Sequence, residues 1–344
     1  MSEKVLSIII PTYNMENYIS KCLDSLLIPS IDLIEVLVIN DGSKDKSSEI
    51  AHKYAEKHPG SIRVIDKENG NYGSCVNRGL KEAAGKYVKV LDADDRFETK
   101  NFDKFVEFLS QTDADCIITD YLQVDPEGNE LNRVTFNKLK NESTISFGRM
   151  PKKILRDIQM HAVTYKTKIL VANDYLQTEG ISYTDNEWVF LPLAWCETFI
   201  YYPHIIYLYL IGREGQTVDP KTRDKSYHHS LKGLETELTH LRTRKFDNDE
   251  KKQFLINKFI KRLDNIYKLG ITGTATMQEK LAIFDEAYKK NFLENEIDLA
   301  KSLTIPILTY NYLTIWRQSG YKVNFEIPKY AILFEKVLKR LNIL

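Results

Sequence analysis

Apolar runs separated by polar, turn-rich stretches set the rhythm of the first third of the chain. Val5 to Ile10 is a mostly apolar strand, ended by Pro11. Tyr18, Ile19, Cys22, Leu23 and Leu26 then recur at helical spacing. Ile34 to Ile39 is a second strand. A second helix is marked by Ile50, Ala51, Tyr54 and Ala55 and stopped by Pro59-Gly60. Ile62 to Ile65 is a third strand, and Val76, Leu80, Ala83 and Ala84 mark a third helix that stops at Gly85. Tyr87 to Leu91 is a fourth strand. Strands without polar alternation, each followed by a helix, predict an α/β fold with a mostly parallel sheet and right-handed crossovers.

The pattern continues with a helix around Phe102 to Leu109 and a strand at Cys116 to Tyr121. It changes from Val124 to Ser146, where Pro126-Glu127-Gly128-Asn129 predicts a hairpin turn in a small strand-rich insertion. Asp185 to Trp195 reads as one helix kinked at Pro192. Phe199 to Leu210 reads as extended, with Pro203 restricting the regular strand to Ile205 to Leu210. From about Asp224 the spacing is helical to the end. Its last helix, Tyr330 to Leu344, carries an apolar stripe beside Lys336, Lys339 and Arg340. Such a helix packs on its own domain or rests on an anionic membrane surface. There is no internal repeat or low-complexity tract.

Composition narrows the class. The 344 residues carry 48 Lys plus Arg and 48 Asp plus Glu. That balance gives no basic surplus for a nucleic-acid partner. Nothing resembles a signal peptide, and no apolar stretch is long enough to cross a bilayer. Cys22, Cys75, Cys116 and Cys196 lie far apart in apolar or helical contexts and read as reduced core thiols. The expected location is the cytoplasm, with peripheral membrane contact through the last helix as an option.

The chemistry gathers after the strands. In open α/β sheets, ligands sit beyond the carboxyl ends of the strands. Here those ends are Pro11-Thr12-Tyr13-Asn14, Asn40-Asp41-Gly42-Ser43, Asp66-Lys67-Glu68-Asn69-Gly70 and Asp92-Ala93-Asp94-Asp95. On extended backbone, Asp92 and Asp94 would point the same way. Crowded carboxylates repel unless a cation lies between them, and hard oxygen ligands suit Mg²⁺ or Mn²⁺. The alternative is a solvated turn. Tyr13 could offer an aromatic face to a nucleobase, or simply pack. Asp41 could accept from a base N–H such as uracil N3, or cap a helix, with Ser43 equally available. No Gly-x-Gly-x-x-Gly or Walker loop follows the first strand.

Pro11-Thr12-Tyr13-Asn14, Asn40-Asp41-Gly42-Ser43, Glu68-Asn69-Gly70, Asn77-Arg78-Gly79 and Leu91-Asp92-Ala93-Asp94-Asp95 resemble family 2 glycosyltransferases of the GT-A fold. The resemblance spans roughly the first two-thirds of the chain. It implies a nucleotide-sugar-binding half at 1–123 and an acceptor-side half at 124–223; the helical C-terminal region at 224–344 lies beyond it. It also implies a nucleotide-sugar donor, here a UDP-sugar, a divalent cation and inversion at the anomeric carbon. By position, Thr12, Tyr13 and Asp41 would hold the base, with Pro11, Asn69, Gly70 and Ala93 beside the donor. Asp92 and Asp94 would be the DXD pair, Asp94 the first choice as metal ligand. The chain departs from the family pattern at Cys75-Val76-Asn77, where Ala-Arg-Asn is common, and at the bulkier Asn71-Tyr72-Gly73.

Inverting transfer needs a group to take the acceptor proton. Tyr183-Thr184-Asp185-Asn186-Glu187-Trp188 matches the family's Glu-Asp segment, with Thr184 replacing the Glu and Asp185 keeping the Asp. Asp185 is the expected base and Glu187 the fallback; Thr184 or Asp185 could instead only cap the following helix. Arg213-Glu214-Gly215-Gln216-Thr217 resembles the family's closing segment, and Arg213 could offset phosphate charge. His228 or His229 could be a distal metal ligand, or merely exposed on a helix. His161 could line the acceptor cleft or be a buried, satisfied histidine. The acceptor expected from the resemblance is a saccharide or a lipid-linked group. Two other readings are a catalytically silent sugar-nucleotide-binding module and a sugar nucleotidyltransferase. The second lacks the Gly-rich loop it would need.

Overall fold

The structure, a computed structural model, describes residues 4–141, 143–213, 216, 220–246, 248–291, 304–305, 310–322, 333–334 and 336–338. Its first strand is β1 (Leu6–Thr12), buried at all seven positions, as is β2 (Ile34–Asn40). Between and after them come α1 (Ile19–Asp24) and α2 (Ser47–Lys57), then β3 (Ile62–Asp66), α3 (Asn71–Glu82) and β4 (Tyr87–Val90). The pair β5 (Arg96–Phe97) precedes α4 (Thr99–Gln111) and β6 (Cys116–Val124). Next are β7 (Glu130–Val134), β8 (Thr144–Ser146), α5 (Lys152–Asp157), β9 (Val163–Lys166) and α6 (Thr167–Ala172). Two short helices, α7 (Asp185–Trp188) and α8 (Leu191–Trp195), lead into β10 (Thr198–Leu210).

Sheet order is β3-β2-β1-β4-β9-β6-β10-β5, with β7 on β6 and β8 on β10. β1, β2, β3 and β4 are parallel. β9 lies antiparallel to both β4 and β6, and β6 pairs parallel with β10. The parallel half brings the ends of β1 to β4 to one edge, which is where the polar strand ends meet. The hairpin predicted at residues 126–129 joins β6 to β7.

Several local expectations change. β1 continues through Pro11 to Thr12. Its pairing with β4 stops at Ile9–Val90, so the donor that Pro11 lacks is not needed on that side. β10 likewise runs through Pro203, absorbing it with register shifts between Tyr202 and Tyr207. Residues 185–195 form two helices rather than one kinked helix. Pro192 sits in the first turn of α8, where its missing N–H costs nothing. The short strands β5 and β9 carry no sequence signal of their own. All four cysteines are free and buried, as expected.

The contacts divide the chain into Met1–Gln216 and Thr217–Leu344. The second unit contains α9 (Pro220–Thr243), α10 (Asp249–Ile271), α11 (Ala275–Asn291) and α12 (Tyr312–Gln318). Asn248 caps α10 by accepting from the Lys251 N–H. Tyr267, Tyr288 and Trp316 fill its core, and the fully buried Asp285 accepts from Tyr267 Oη at 2.8 Å and Arg317 Nε at 2.9 Å. Of the expected helix at 330–344, only residues 333–334 and 336–338 are described; the rest lies outside the described residues. No described helix is long and apolar enough to cross a membrane.

Helix α3 seats on β1 through Gly79, where a Cβ would meet Ile9 Cγ2 at 2.5 Å. Gly79→Ala should therefore overpack this contact and lower the stability of the first unit by about 1–3 kcal/mol. A urea titration followed by tyrosine and tryptophan fluorescence checks this, and an unchanged midpoint would show that Ile9 can yield.

Candidate active site

Residues 92–95 form a turn, not extended backbone: the Asp95 N–H donates to Asp92 O at 2.9 Å. Nor is it a solvated turn. Asp95 is 2% exposed. Its Oδ2 accepts from Tyr207 Oη at 2.6 Å and its Oδ1 from the Leu210 N–H at 2.7 Å. Tyr207 Oη in turn accepts from the Asp92 N–H at 3.1 Å. The acidic turn is thereby pinned to β10.

Asp92 and Asp94 face different partners. Asp92 Oδ1 accepts from Tyr72 Oη at 2.6 Å, and Asp94 Oδ2 pairs with Arg213 Nε at 2.5 Å. The Arg213 guanidinium also lies 5.3 Å from the Tyr18 ring centroid. Burial, then repulsion from Asp94, pushes the Asp92 carboxyl up to about 7; Asp185 adds to this and Tyr72 opposes it. Burial followed by Asp94 and Asp92 raises Asp95 as well. Among the described residues, ligand atoms of Asp92, Asp95 and His161 lie within 4.8 Å of one another. Asp94 is not in that group.

His161 is 6% exposed, and its Nδ1 is buried without a hydrogen-bond partner. It is therefore not the satisfied histidine that was one of its two expected roles. Its ring stacks on Tyr209 at 4.2 Å and meets Tyr207 edge-on at 4.8 Å. Burial and the nearby Lys89 ammonium lower its pKa to about 3, so the imidazole is neutral. Lys89 is fully buried on β4 and donates to His161 O at 2.8 Å and Val163 O at 3.0 Å.

A cleft of about 520 Å³ opens over the ends of β1, β2 and β3. Tyr13, 45% exposed, lines it with Asn40, Gly42, Lys67 and Asn69. Asp41 is buried beside it and caps no helix. Its Oδ1 accepts from Lys67 Nζ at 2.7 Å and from the Gly70 N–H at 2.9 Å, while Asn69 Nδ2 donates to Asp41 O at 3.0 Å. Thr12 is buried, with its hydroxyl donating to Ile10 O. Pro11 and Ala93 are buried as well. Asn77 grips the segment beyond α6: it accepts from the Gln177 N–H at 2.8 Å and donates to Gln177 O at 2.9 Å. Arg78 pairs with Glu82 along its own helix at 3.0 Å rather than replacing the missing family arginine.

Asp185 opens α7, and Thr184 before it makes no side-chain cap bond. Tyr183 has φ +67°, a region a bulky residue adopts only when its surroundings force it. Asn14, after β1, and Asn71, the first residue of α3, also have positive φ. The Asp185 charge is felt at Asp92, Tyr72 and Tyr209, so it lies within electrostatic reach of the acidic turn. Glu187 is buried and accepts from the Thr178 N–H at 2.8 Å, a bracing role. His228 and His229 lie on α9 in the second unit. Glu214, Gly215 and Thr217 lie outside the described residues.

Residues 7–170 match the profile of glycosyl transferase family 2. The first unit of the chain belongs to that family. An uncharacterized glycosyltransferase of Bacillus subtilis (strain 168), EpsJ, is 41% identical over 113 residues, 33% of either chain. The match thus spans a third of that relative's length. Among solved structures, S. aureus TarS 1-349 in complex with UDP-GlcNAc aligns with TM-score 0.54 at 20% identity, covering 84% of this chain and 92% of that one. A mannosyltransferase from Pyrobaculum calidifontis in complex with GDP-Man and Mn²⁺ aligns with TM-score 0.53 at 16% identity, covering 97% and 86%. The fold is the GT-A arrangement of a curled sheet flanked by helices.

Within this family 2 domain the strand-end motifs do converge, but sequence reading missed Tyr72, Lys89, Asp95 as an anchor and Tyr207. Tyr72 had a signal, since it stands where smaller residues are common. Lys89 had one too: a lysine inside an otherwise apolar strand.

A carboxyl whose pKa is raised on folding makes the native state the better proton binder. Its ionised form then costs stability as pH rises through the folded pKa. A cation at Asp92 competes with that proton. The rise in melting temperature on adding MnCl₂ should therefore be larger near pH 8 than near pH 6. Equal rises in a thermal-shift series would remove Asp92 from cation binding.

Proposed function

We propose that this chain is a metal-dependent, inverting glycosyltransferase. It moves a sugar from a nucleotide-sugar, specifically a UDP-sugar, to a hydroxyl of a saccharide or lipid-linked acceptor in surface polysaccharide or glycolipid synthesis. The observation that supports this reading is that the Asp185 charge reaches the Asp92 carboxyl. A potential base thus acts electrostatically on the acidic cluster, and an opening lined by Tyr13, Asn40 and Asn69 lies over the ends of β1 to β3. The relatives that bind UDP-GlcNAc and GDP-Man on this fold support a nucleotide-sugar donor.

In this reading the Tyr13 ring stacks on the base. Asp41, held in place by Lys67 and the Gly70 N–H, accepts from the base N–H. The donor set fits a divalent cation. Carboxylate oxygens of Asp92 and Asp94 are hard ligands, and the Asp92 pKa is raised by burial and then by repulsion from Asp94, the second of which a cation would offset. When bound, the ion supplies positive charge against the departing diphosphate. Arg213 adds a guanidinium on that side. Asp185 takes the proton from the acceptor hydroxyl as its oxygen bonds to the anomeric carbon and the bond to the diphosphate oxygen breaks. The α7 N-terminus favours the ionised carboxylate.

Asp185→Asn keeps size and leaves the start of α7 intact, since Asn and Asp are similar at helix starts. Turnover should fall roughly 10²–10⁴-fold while UDP affinity, measured by calorimetry, stays near that of the parent protein. Near-normal turnover would remove Asp185 from the reaction and move attention to Glu187.

Asp41→Ala should weaken UDP binding by about 1.5–3 kcal/mol, the scale of a hydrogen bond to a charged group. Calorimetry with and without EDTA on the parent protein gives the metal arm. Equal UDP affinity in both would sink the cation's role.

A further inference from the structure

We propose that the imidazole of His161 is a nitrogen ligand of the divalent cation bound at Asp92, giving the site a preference for Mn²⁺ over Mg²⁺. This rests on the metal-dependent reading above and extends it to a residue that lies 69 positions from the acidic turn.

Three observations carry it. The first is burial without a partner. His161 is 6% exposed, yet its Nδ1 has no hydrogen-bond partner, and a sealed ring nitrogen in that condition calls for a physical reason. The second is aim: one ring nitrogen lies within 4.8 Å of carboxylate oxygens of both Asp92 and Asp95. The third is fixation. Tyr209 stacks on the ring at 4.2 Å, Tyr121 lies 5.1 Å from it, and Lys89 clamps the His161 carbonyl at 2.8 Å. Lys89 lies three residues before Asp92, so one strand positions both the carboxylate and the imidazole.

The roles within the cluster differ. Asp95 has both oxygens engaged by Tyr207 and Leu210 and orients the turn from behind. Asp92 has one oxygen engaged by Tyr72. The neutral imidazole offers the lone pair a metal needs. Replacing one oxygen ligand by imidazole moves preference away from Mg²⁺, which strongly favours oxygen, towards first-row ions that accept nitrogen. A core histidine with only a packing role would leave the metal's coordination sphere all oxygen.

The test reads the metal directly. Mn²⁺ is added to the full chain with UDP, and pulsed EPR looks for nitrogen modulation that changes when the protein is grown with ¹⁵N-histidine. The expected result is histidine-derived modulation in the parent protein. It should persist in the His228→Gln/His229→Gln double variant and vanish in His161→Gln. His161→Gln should also weaken Mn²⁺ binding by at least about tenfold while Mg²⁺ binding changes less. Mn²⁺ bound without nitrogen modulation in the parent protein overturns the proposal while leaving the metal reading intact. Loss of the signal in the His228/His229 variant overturns it in favour of the second unit. No Mn²⁺ binding with or without UDP overturns the metal reading itself. The parent and the double-variant arms need no substitution in the core, so a His161→Gln protein that failed to fold would not rescue the proposal.

Discussion

The carboxylate of Asp95, buried and bonded to the Tyr207 hydroxyl and the Leu210 amide, is the constraint on which the rest of the site hangs. It joins the end of a strand in the parallel half of the sheet to a strand 112 residues later. Through Tyr207 it also fixes the Asp92 amide. A charged acceptor buried this deeply is costly if any partner is lost, because the remaining group cannot be rehydrated. The turn therefore has one arrangement. That rigidity has an electrostatic consequence: Asp92 and Asp94 cannot move apart to relax their repulsion. Burial first, and then this repulsion, raises the carboxyl pKa values at Asp92 and Asp95.

Around this turn the neighbouring charges are each answered. Arg213 answers Asp94, and Lys67 answers Asp41. Lys89, whose pKa burial lowers to about 7, is answered by backbone carbonyls and by the face of Tyr207. The site is thus a small set of paired ions with aromatic walls, and Asp92 is held mainly by a neutral phenol from Tyr72. Left-handed backbone accompanies it at Asn14 and at Asn71, the first residue of α3, which Asn tolerates, and at Tyr183 before Asp185, where a bulky residue is strained.

The parallel half was legible in the sequence because β1, β2 and β4 are buried on both faces and read as mostly apolar runs, while β3, at the sheet edge, is only partly buried. Helices α2, α3 and α4 were legible from apolar residues at helical spacing. Their ends were less so. Pro11 looked like a terminus, but whether a proline breaks a strand depends on which neighbour it faces, and that is a property of the sheet. Pro203 was misjudged for the same reason. Residues 185–195 looked like one helix, since local spacing cannot show that Val189 and Phe190 leave the helical path. The strand-end motifs picked out residues that the fold sets along one edge of the sheet. What they did not reveal was pairing. Asp41 with Lys67, Asp94 with Arg213, Asp92 with Tyr72 and the approach of His161 are all long-range contacts without a local signature.

Asn77 and Gly73 tie α3 to the segment that leads into Tyr183. A side chain at Gly73 would collide with the Thr178 carbonyl at 2.2 Å, and Asn77 holds Gln177 through both its amide groups. The helix that offers Gly70 to Asp41 and Tyr72 to Asp92 is thus the same solid body that carries the approach to Asp185. Mechanically, the two sides of the cleft share a single beam. A load placed on Tyr72 or Gly70 is thus passed to the segment around Gln177 and Thr178 that leads towards Asp185. Other parts of the chain bear no such load, such as the exposed β6–β7 hairpin, where Glu130 to Arg133 stand in solvent.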